Sequence, residues 1–342
     1  MTHHGIEGDL AAFGWSDRVL ALFNDLGEPR AEPARVVRVE RGHAVVVCPD
    51  GTESLVVIHA PAAVGDWVAL RYDAVVSRLP RWSAMVRQDP SGTRVQVLAA
   101  NVDLVLITAP ADRLNAARLE RELAVAWDSG ARPLVVMTKS ELAPAGAVAE
   151  LADRLAGVDV VPTSAVTGLG VDDIREILRP DRTAALLGPS GAGKSTLANA
   201  LLGTDRLATG SVRGGDNRGR HTTTSRQLLA VPGGGVLIDT PGLRSLGLPG
   251  ETTVEQVFPD IDELAARCRF TDCRHEVEPG CAVADAASDG ALDTARLANF
   301  RKLQGEIAAE VRRTDPLVRR AELSAHKAQV KSMKANDKRT PR

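Results

Sequence analysis

Between Ala34 and Leu79 the chain alternates short valine-rich runs with polar breaks: ARVVRVE, HAVVVCPDG, SLVVIHA, DWVALRYD and AVVSRLP. Each run has strand length. Turn formers at Arg41-Gly42, Pro49-Asp50-Gly51 and Val64-Gly65-Asp66 separate them, a pattern that predicts five strands closing into a small barrel of the OB type. From Val102 the period changes. Strand-like VDLVLIT, PLVVMT, VDVVPTSA, TAALLG and GVLID alternate with helical RLNAARLERELAVAWDSG, Ala147–Leu155, VDDIREIL and LANALLG. That alternation specifies a parallel sheet with helices on both faces, whose ligands sit at the carboxyl ends of the strands. After Gly242 the spacing is helical, around Val254–Phe258 and Ile261–Cys268 and from Ala291 to Arg313; a short helix is also expected at Val19–Leu26.

These changes divide the chain into an N-terminal extension (1–33), a barrel (34–85), a linker (86–98), an α/β domain (99–248) and a helical segment with a basic tail (249–342). A length of 342 residues, 44% hydrophobic and 25% charged, agrees with two or three domains and buried cores. No run approaches the roughly 18 apolar residues of a membrane helix, and MTHHGIEGDL has neither the basic nor the apolar part of a secretion signal. A cytoplasmic protein with no membrane partner is expected. The net charge of −2 conceals an asymmetry: Val311–Arg342 holds ten Lys or Arg against three acids, a local +7. Such a tail is either solvated or set against the phosphates of an RNA.

GPSGAGKST lies between the strand TAALLG and the helix LANALLG. In that context Gly188-x4-Gly193-Lys194-Ser195 is a phosphate-binding loop. Gly188, Pro189, Ser190, Gly191, Ala192, Gly193, Lys194, Ser195 and Thr196 are its expected nucleotide contacts, with Lys194 neutralising the β- and γ-phosphates and Ser195 ligating magnesium. Asp239 closes the strand GVLID and begins DTPG, so it can hold the same magnesium while Gly242 offers its N–H to the γ-phosphate. Between them RGRHTTTSRQL, Arg218–Leu228, occupies the place of a switch segment. Thr222 or Thr223 completes the magnesium shell, and spacing does not choose between them. Leu243 stands where many signalling GTPases carry a water-orienting glutamine, which predicts slow intrinsic hydrolysis. His221 is the candidate to position water, beside Lys194 as the second catalytic residue.

Base reading falls to TKSE, Thr138, Lys139, Ser140 and Glu141, and to Ser164 and Ala165 of TSA. The usual GTPase motif is Asn-Lys-x-Asp. Glu141 keeps a carboxylate for the guanine N1 and N2 groups, while Thr138 cannot reproduce an amide's bonds, each worth roughly 0.5–3 kcal/mol. Guanine is expected to be preferred over adenine by a reduced margin. Both base motifs precede the phosphate loop in the chain, whereas an ordinary GTPase has the loop first. Since a site depends on which strand ends converge, this order implies a circularly permuted GTPase domain.

Cys268-x4-Cys273-x-His275-x5-Cys281 supplies three thiolates and an imidazole, the set of a closed structural zinc site with no open position for substrate. Cys48, in the run VVVC, reads as a buried apolar residue. On the barrel, Arg38, Arg41, Arg71, Arg78, Arg81 and Arg87 are candidate RNA contacts, with Trp67, Tyr72 and Trp82 the few aromatics for base stacking.

Barrel, LAANVD at Leu98–Asp103, GPSGAGKST, GRHTTT, DTPG and the segment CRFTDCRHEVEPGC together resemble the RsgA family of small ribosomal subunit biogenesis GTPases, over nearly the whole chain from Ala34. The resemblance implies a GTPase, expected as a monomer, that uses magnesium and one structural zinc. It further implies binding to the immature small subunit and its rRNA near the decoding region, hydrolysis of GTP to GDP when stimulated there, and help in releasing other assembly factors. TKSE is the clearest departure from the family's pattern. Competing readings are a nucleotide-gated RNA-binding scaffold with incidental hydrolysis, a permuted GTPase acting on the large subunit, and an ATP-using kinase, for which no acceptor-binding constellation is present.

Overall fold

A computed structural model describes residues 10–88, 95–155, 157–178, 181–204, 226–239 and 251–314. They fall into two compact units, one within 1–87 and 96–247, the other within 88–95 and 248–342.

The first unit opens with helix α1 (Asp17–Asp25) and a closed barrel of β1 (Glu32–Glu40), β2 (His43–Val47), β3 (Glu53–Val57), β4 (Trp67–Arg71) and β5 (Ala74–Arg78), ordered β1-β2-β3-β5-β4. All pairings are antiparallel except β3 with β5, joined in parallel at Val57 and Ala74. Ala34, Val36, Ala44, Val46, Val56, Val68 and Leu70 fill the interior. Their two-residue spacing is what a strand needs to aim alternate side chains inward. Arg35, between two inward residues, faces out, yet it is fully buried together with its cross-strand neighbour Trp67. The cover comes from Trp15, whose ring meets Trp67 edge-on at 5.4 Å, and from the Phe13 carbonyl, which accepts from Arg35.

Two short strands, β6 (Ala84–Gln88) and β7 (Val95–Ala100), pair with each other and occupy the two ends of the stretch 86–98 expected as linker. Next comes a sheet made of β8 (Leu104–Pro110), β9 (Arg132–Thr138), β10 (Val160–Thr163), β11 (Thr183–Leu187), β12 (Gln227–Ala230) and β13 (Val236–Asp239). Its order is β10-β9-β8-β11-β13-β12, parallel except for β12. The central β8 and β11 are buried along their whole length, as an apolar strand covered on both faces must be. One face packs on α4 (Val171–Leu178) and α5 (Lys194–Leu202) through Leu104, Leu106, Leu134, Val136, Leu186 and Leu237 against Ile174, Leu178, Leu197 and Leu201. Helix α2 (Ala116–Asp128) lies along β8 and β9, and α3 (Ala147–Arg154) along β10.

The second unit contains α6 (Glu251–Val257), α7 (Pro259–Ala265), α8 (Ala282–Ser288) and α9 (Thr294–Thr314), with a long loop between α7 and α8. Arg296 of α9 ties these together. Its guanidinium donates twice to Asp260 at 2.7 Å and once to the Val257 carbonyl at 3.1 Å, and it lies 4.8 Å from the ring centroid of Phe258. Phe258 in turn meets Phe300 edge-on at 5.4 Å.

Candidate functional site

Parallel register brings the strand ends together. Thr138 pairs with both Pro110 and Thr163, Leu187 with Ile107, and Ile238, the residue before Asp239, with Ala185. The base-motif strands β9 and β10, the phosphate strand β11 and the acid-bearing β13 therefore finish at one sheet edge.

From β11 the chain enters Gly188, whose φ is 140°. A Cβ there would stand 2.2 Å from Thr108 Oγ1 and 2.8 Å from its carbonyl, so only glycine lets the loop leave β11 this close to β8. Lys194 begins α5, and its Nζ donates to the carbonyls of Gly188 (2.8 Å) and Pro189 (2.7 Å), placing the ammonium across the loop it closes. Ser195 is half-buried, Ser190 and Thr196 are exposed, and Ala192 is buried. Asp239 is partly buried; burial pushes its carboxyl pKa up, and the charge of Lys194 acts in the opposite direction. A hydroxyl at Ser195 and a carboxylate at Asp239 are hard oxygen donors of the kind magnesium takes, as one or two protein ligands beside phosphate oxygens.

The base motif is bonded directly to the phosphate loop: Thr138 Oγ1 donates to the Ala192 carbonyl at 2.7 Å. Lys139 follows in a left-handed conformation, φ 55°, and Ser140–Leu142 forms a 3-10 turn in which Glu141 is exposed. The Ser140 hydroxyl is buried without a partner among the described residues. Ser164, beyond β10, has its hydroxyl engaged by the N–H of Thr167 at 3.2 Å, while Ala165 is exposed. His221, Thr222, Thr223 and Gly242, like most of the basic tail, lie outside the described residues.

Cys268, Cys273, His275 and Cys281 place their ligand atoms within 4.8 Å of one another. The Sγ atoms of Cys268 and Cys281 are 3.9 Å apart, and each is 3.5 Å from His275 Nδ1. Zinc bonds of about 2.3 Å to sulfur and about 2.0 Å to nitrogen put tetrahedral edges at ~3.8 and ~3.5 Å. Cys268, His275 and Cys281 thus stand at the spacing zinc takes, with Nδ1 as the ligating nitrogen, and Cys273, within 4.8 Å of them, supplies the fourth ligand of the set. His275 needs φ 60° to turn inward, and Arg301 holds that backbone by donating to the His275 carbonyl. Cys281 caps α8, its sulfur accepting from the Ala284 N–H at 3.3 Å. Glu278 folds the loop between the ligands, accepting from the N–H groups of Arg274, Glu276 and Val277 at 3.0, 2.8 and 3.1 Å.

The barrel corrects part of the expected RNA face. Trp67 is fully buried and offers no ring for stacking, whereas Tyr72 is 93% exposed. Arg81 forms a two-pronged bond to the buried Asp66 at 2.6 and 2.7 Å, Arg71 pairs with Glu28, and Arg38 with Glu40. Cys48 is half-buried against the barrel core. Two residues that spacing did not single out, Asp112 and Arg113, reach the base motif and the phosphate loop: Lys139 Nζ donates to Asp112 Oδ2 at 2.8 Å and Arg113 Nη2 to the Gly191 carbonyl at 2.6 Å. The only advance signal is their place just beyond a central parallel strand.

A sheet whose phosphate strand lies between an earlier base-side strand and a later acid-bearing one, with all their ends at one edge, defines a circularly permuted GTPase. The structure is similar to that of YjeQ from Thermotoga maritima (TM-score 0.61, 26% identity, 81% of this chain and 99% of that one). It also shares its fold with YloQ, described as a circularly permuted GTPase (TM-score 0.58, 22% identity, 82% and 96%). The RsgA GTPase family model matches residues 78–249. The small ribosomal subunit biogenesis GTPases RsgA of Streptomyces coelicolor and Opitutus terrae are 47% and 43% identical, over 92% and 96% of this chain and 91% and 98% of theirs. The chain belongs to the RsgA GTPase family and is a GTP hydrolase.

Proposed function

We propose that this GTPase acts in maturation of the small ribosomal subunit, binding that subunit through its rRNA and hydrolysing GTP when stimulated by it. The observation that carries the proposal is similarity along almost the full chain, barrel and cysteine segment included, to relatives named for small-subunit biogenesis. Within the site, Gly188–Thr196 surround the phosphates, Lys194 neutralises charge on them, and Ser195 with Asp239 and Thr222 or Thr223 holds magnesium. When bound, the ion offsets charge that grows on the phosphate oxygens in the transition state. Thr138–Glu141, Ser164 and Ala165 receive the base, Gly242 donates to the γ-phosphate and His221 orients water. Zinc on Cys268, Cys273, His275 and Cys281 staples the second unit. The domain division 1–33, 34–85, 86–98, 99–248 and 249–342 assigns subunit contact to the barrel and the C-terminal segment, and the protein works as a monomer in the cytoplasm. Other assembly factors leave the subunit in the course of the cycle.

GTP turnover measured with isolated small subunits, isolated large subunits and neither is the decisive experiment. Stimulation by small subunits alone is expected; equal stimulation by large subunits would move the substrate. Leu243, in the glutamine's usual place, favours a second reading in which GTP binding alone gates RNA affinity. That reading stands if small subunits bind in a GTP-dependent way without raising turnover.

A further inference from the structure

The 3-10 turn Ala111–Arg113 follows β8 at the shared sheet edge and bonds to both halves of the site in neighbouring residues. Asp112 Oδ2 takes the Lys139 ammonium at 2.8 Å, and the carboxyl of Asp112 is held below its ordinary range chiefly by that bond. Arg113 Nη2 donates to the Gly191 carbonyl at 2.6 Å and presses on the loop's flank: a Cβ at Gly191, where φ is 72°, would stand 2.7 Å from that nitrogen. A third tie, from Thr138 Oγ1 to the Ala192 carbonyl at 2.7 Å, joins the same two segments without the turn. So the base-reading turn and the phosphate loop are cross-braced through Asp112 and Arg113.

The braces are on the surface. Side-chain exposure is 33% for Asp112, 36% for Lys139 and 54% for Arg113. Exposed pairs of this kind contribute little to folding, so two adjacent residues aimed at two different ligand loops are better explained by the ligand than by stability. There is also a need for them. Thr138 has one short hydroxyl where an asparagine would have an amide, and Lys139 holds a left-handed backbone that disfavours residues with a Cβ. Base and phosphates belong to one covalently linked ligand that must engage both loops at once, and a displacement of about 1 Å between its binding loops is costly.

We propose that Asp112 and Arg113 are positioning residues that set the distance between base-reading turn and phosphate loop, and thereby the preference for guanine over adenine nucleotides. This rests on reading 138–141 and 188–196 as one guanine-nucleotide site. The test is equilibrium binding of GDP and ADP, with magnesium, to the full chain and to its Asp112→Ala, Asp112→Asn, Arg113→Ala and Arg113→Lys variants, with melting temperatures alongside. Each alanine variant is expected to weaken GDP about tenfold and ADP less than about twofold, as loss of a charge-assisted bond predicts. The conservative variants recover part of the loss, and melting shifts by less than about 2 °C. GDP affinity and the GDP/ADP ratio unchanged in both alanine variants would overturn the proposal. A parallel loss of both nucleotides would overturn it too, since the turn would then serve the phosphates alone. Failure of the unsubstituted chain to bind GDP sinks the guanine reading itself and is seen before any variant is compared.

Discussion

Arg35 on barrel strand β1 donates through Nη2 to Thr183 Oγ1 at 2.7 Å, and Thr183 is the first residue of β11, the strand whose far end is the phosphate loop. Asp103 braces the same residue, accepting from its backbone N–H at 2.8 Å. Burial disfavours the charge of Arg35, which Asp103 and Asp66 offset in part, and its guanidinium also lies 4.9 Å from the Trp67 ring centroid. Arg35→Met is therefore expected to destabilise the first unit by about 3 kcal/mol, because the Phe13 carbonyl and the Thr183 hydroxyl lose a buried charged donor together. Urea denaturation followed by tryptophan fluorescence measures this, and a loss below about 0.5 kcal/mol would contradict it.

Lys194 donates to two carbonyls of the loop and, in the proposed site, is the charge that compensates the phosphates. Lys194→Ala should lower GTP turnover by about 100-fold or more at an unchanged melting temperature. Asp239→Asn should instead raise the magnesium concentration needed for half-maximal turnover.

The second unit packs its helices through Phe258, Ile261, Val283, Phe300 and Leu303, while the long loop that carries the metal ligands joins that core mainly through its site, so metal binding ought to contribute much of its stability. One zinc per chain is expected by elemental analysis. A chelator, or Cys281→Ser, should lower helical circular dichroism by removing α8 and the helices packed on the loop. An unchanged spectrum after full zinc removal would show that the helices stand without it.

Glu278 makes a pH prediction. N–H bonds from Arg274 first, then from Glu278, Glu276 and Val277, bring its carboxyl from an ordinary 4.5 down to about 2. Because the folded value is depressed, the stabilisation is present above pH 4.5 and disappears as pH falls through about 2. Carbon NMR of the carboxyl should titrate near the lower value, and Glu278→Gln should abolish this pH-dependent component of the loop's stability.

The parts of this molecule that announce themselves in sequence are those with a local physical cause. Valine-rich runs place each barrel strand to within about four residues, because alternation is the geometry of a strand with one buried face. Gly188-x4-Gly193-Lys194-Ser195 and the cysteine spacing are legible because each needs particular residues at fixed separations. Strands β6, β7 and β12 were not anticipated; AMVRQ, VQVLAA and QLLA are too short, or too plain, to separate from loops. Trp67 read as an exposed stacking ring because alternation does turn it out of the barrel. What buries it, Trp15 and Arg35, comes from the N-terminal extension and from the opposite strand, and only tertiary packing unites them. Asp112 and Arg113 belong to no spacing pattern and acquire meaning solely from where β8 ends.

The strand order of the sheet has a consequence for biosynthesis. The strand at the heart of the sheet, β11, must slot against β8 although the Thr108 to Leu187 contact spans 79 residues of chain, so β8 waits with one flank uncovered while those residues are made. A nascent chain halted before β11 would present that bare apolar margin to other polypeptides. Synthesis, before any ligand is met, is thus the stage at which this strand order leaves the sheet open.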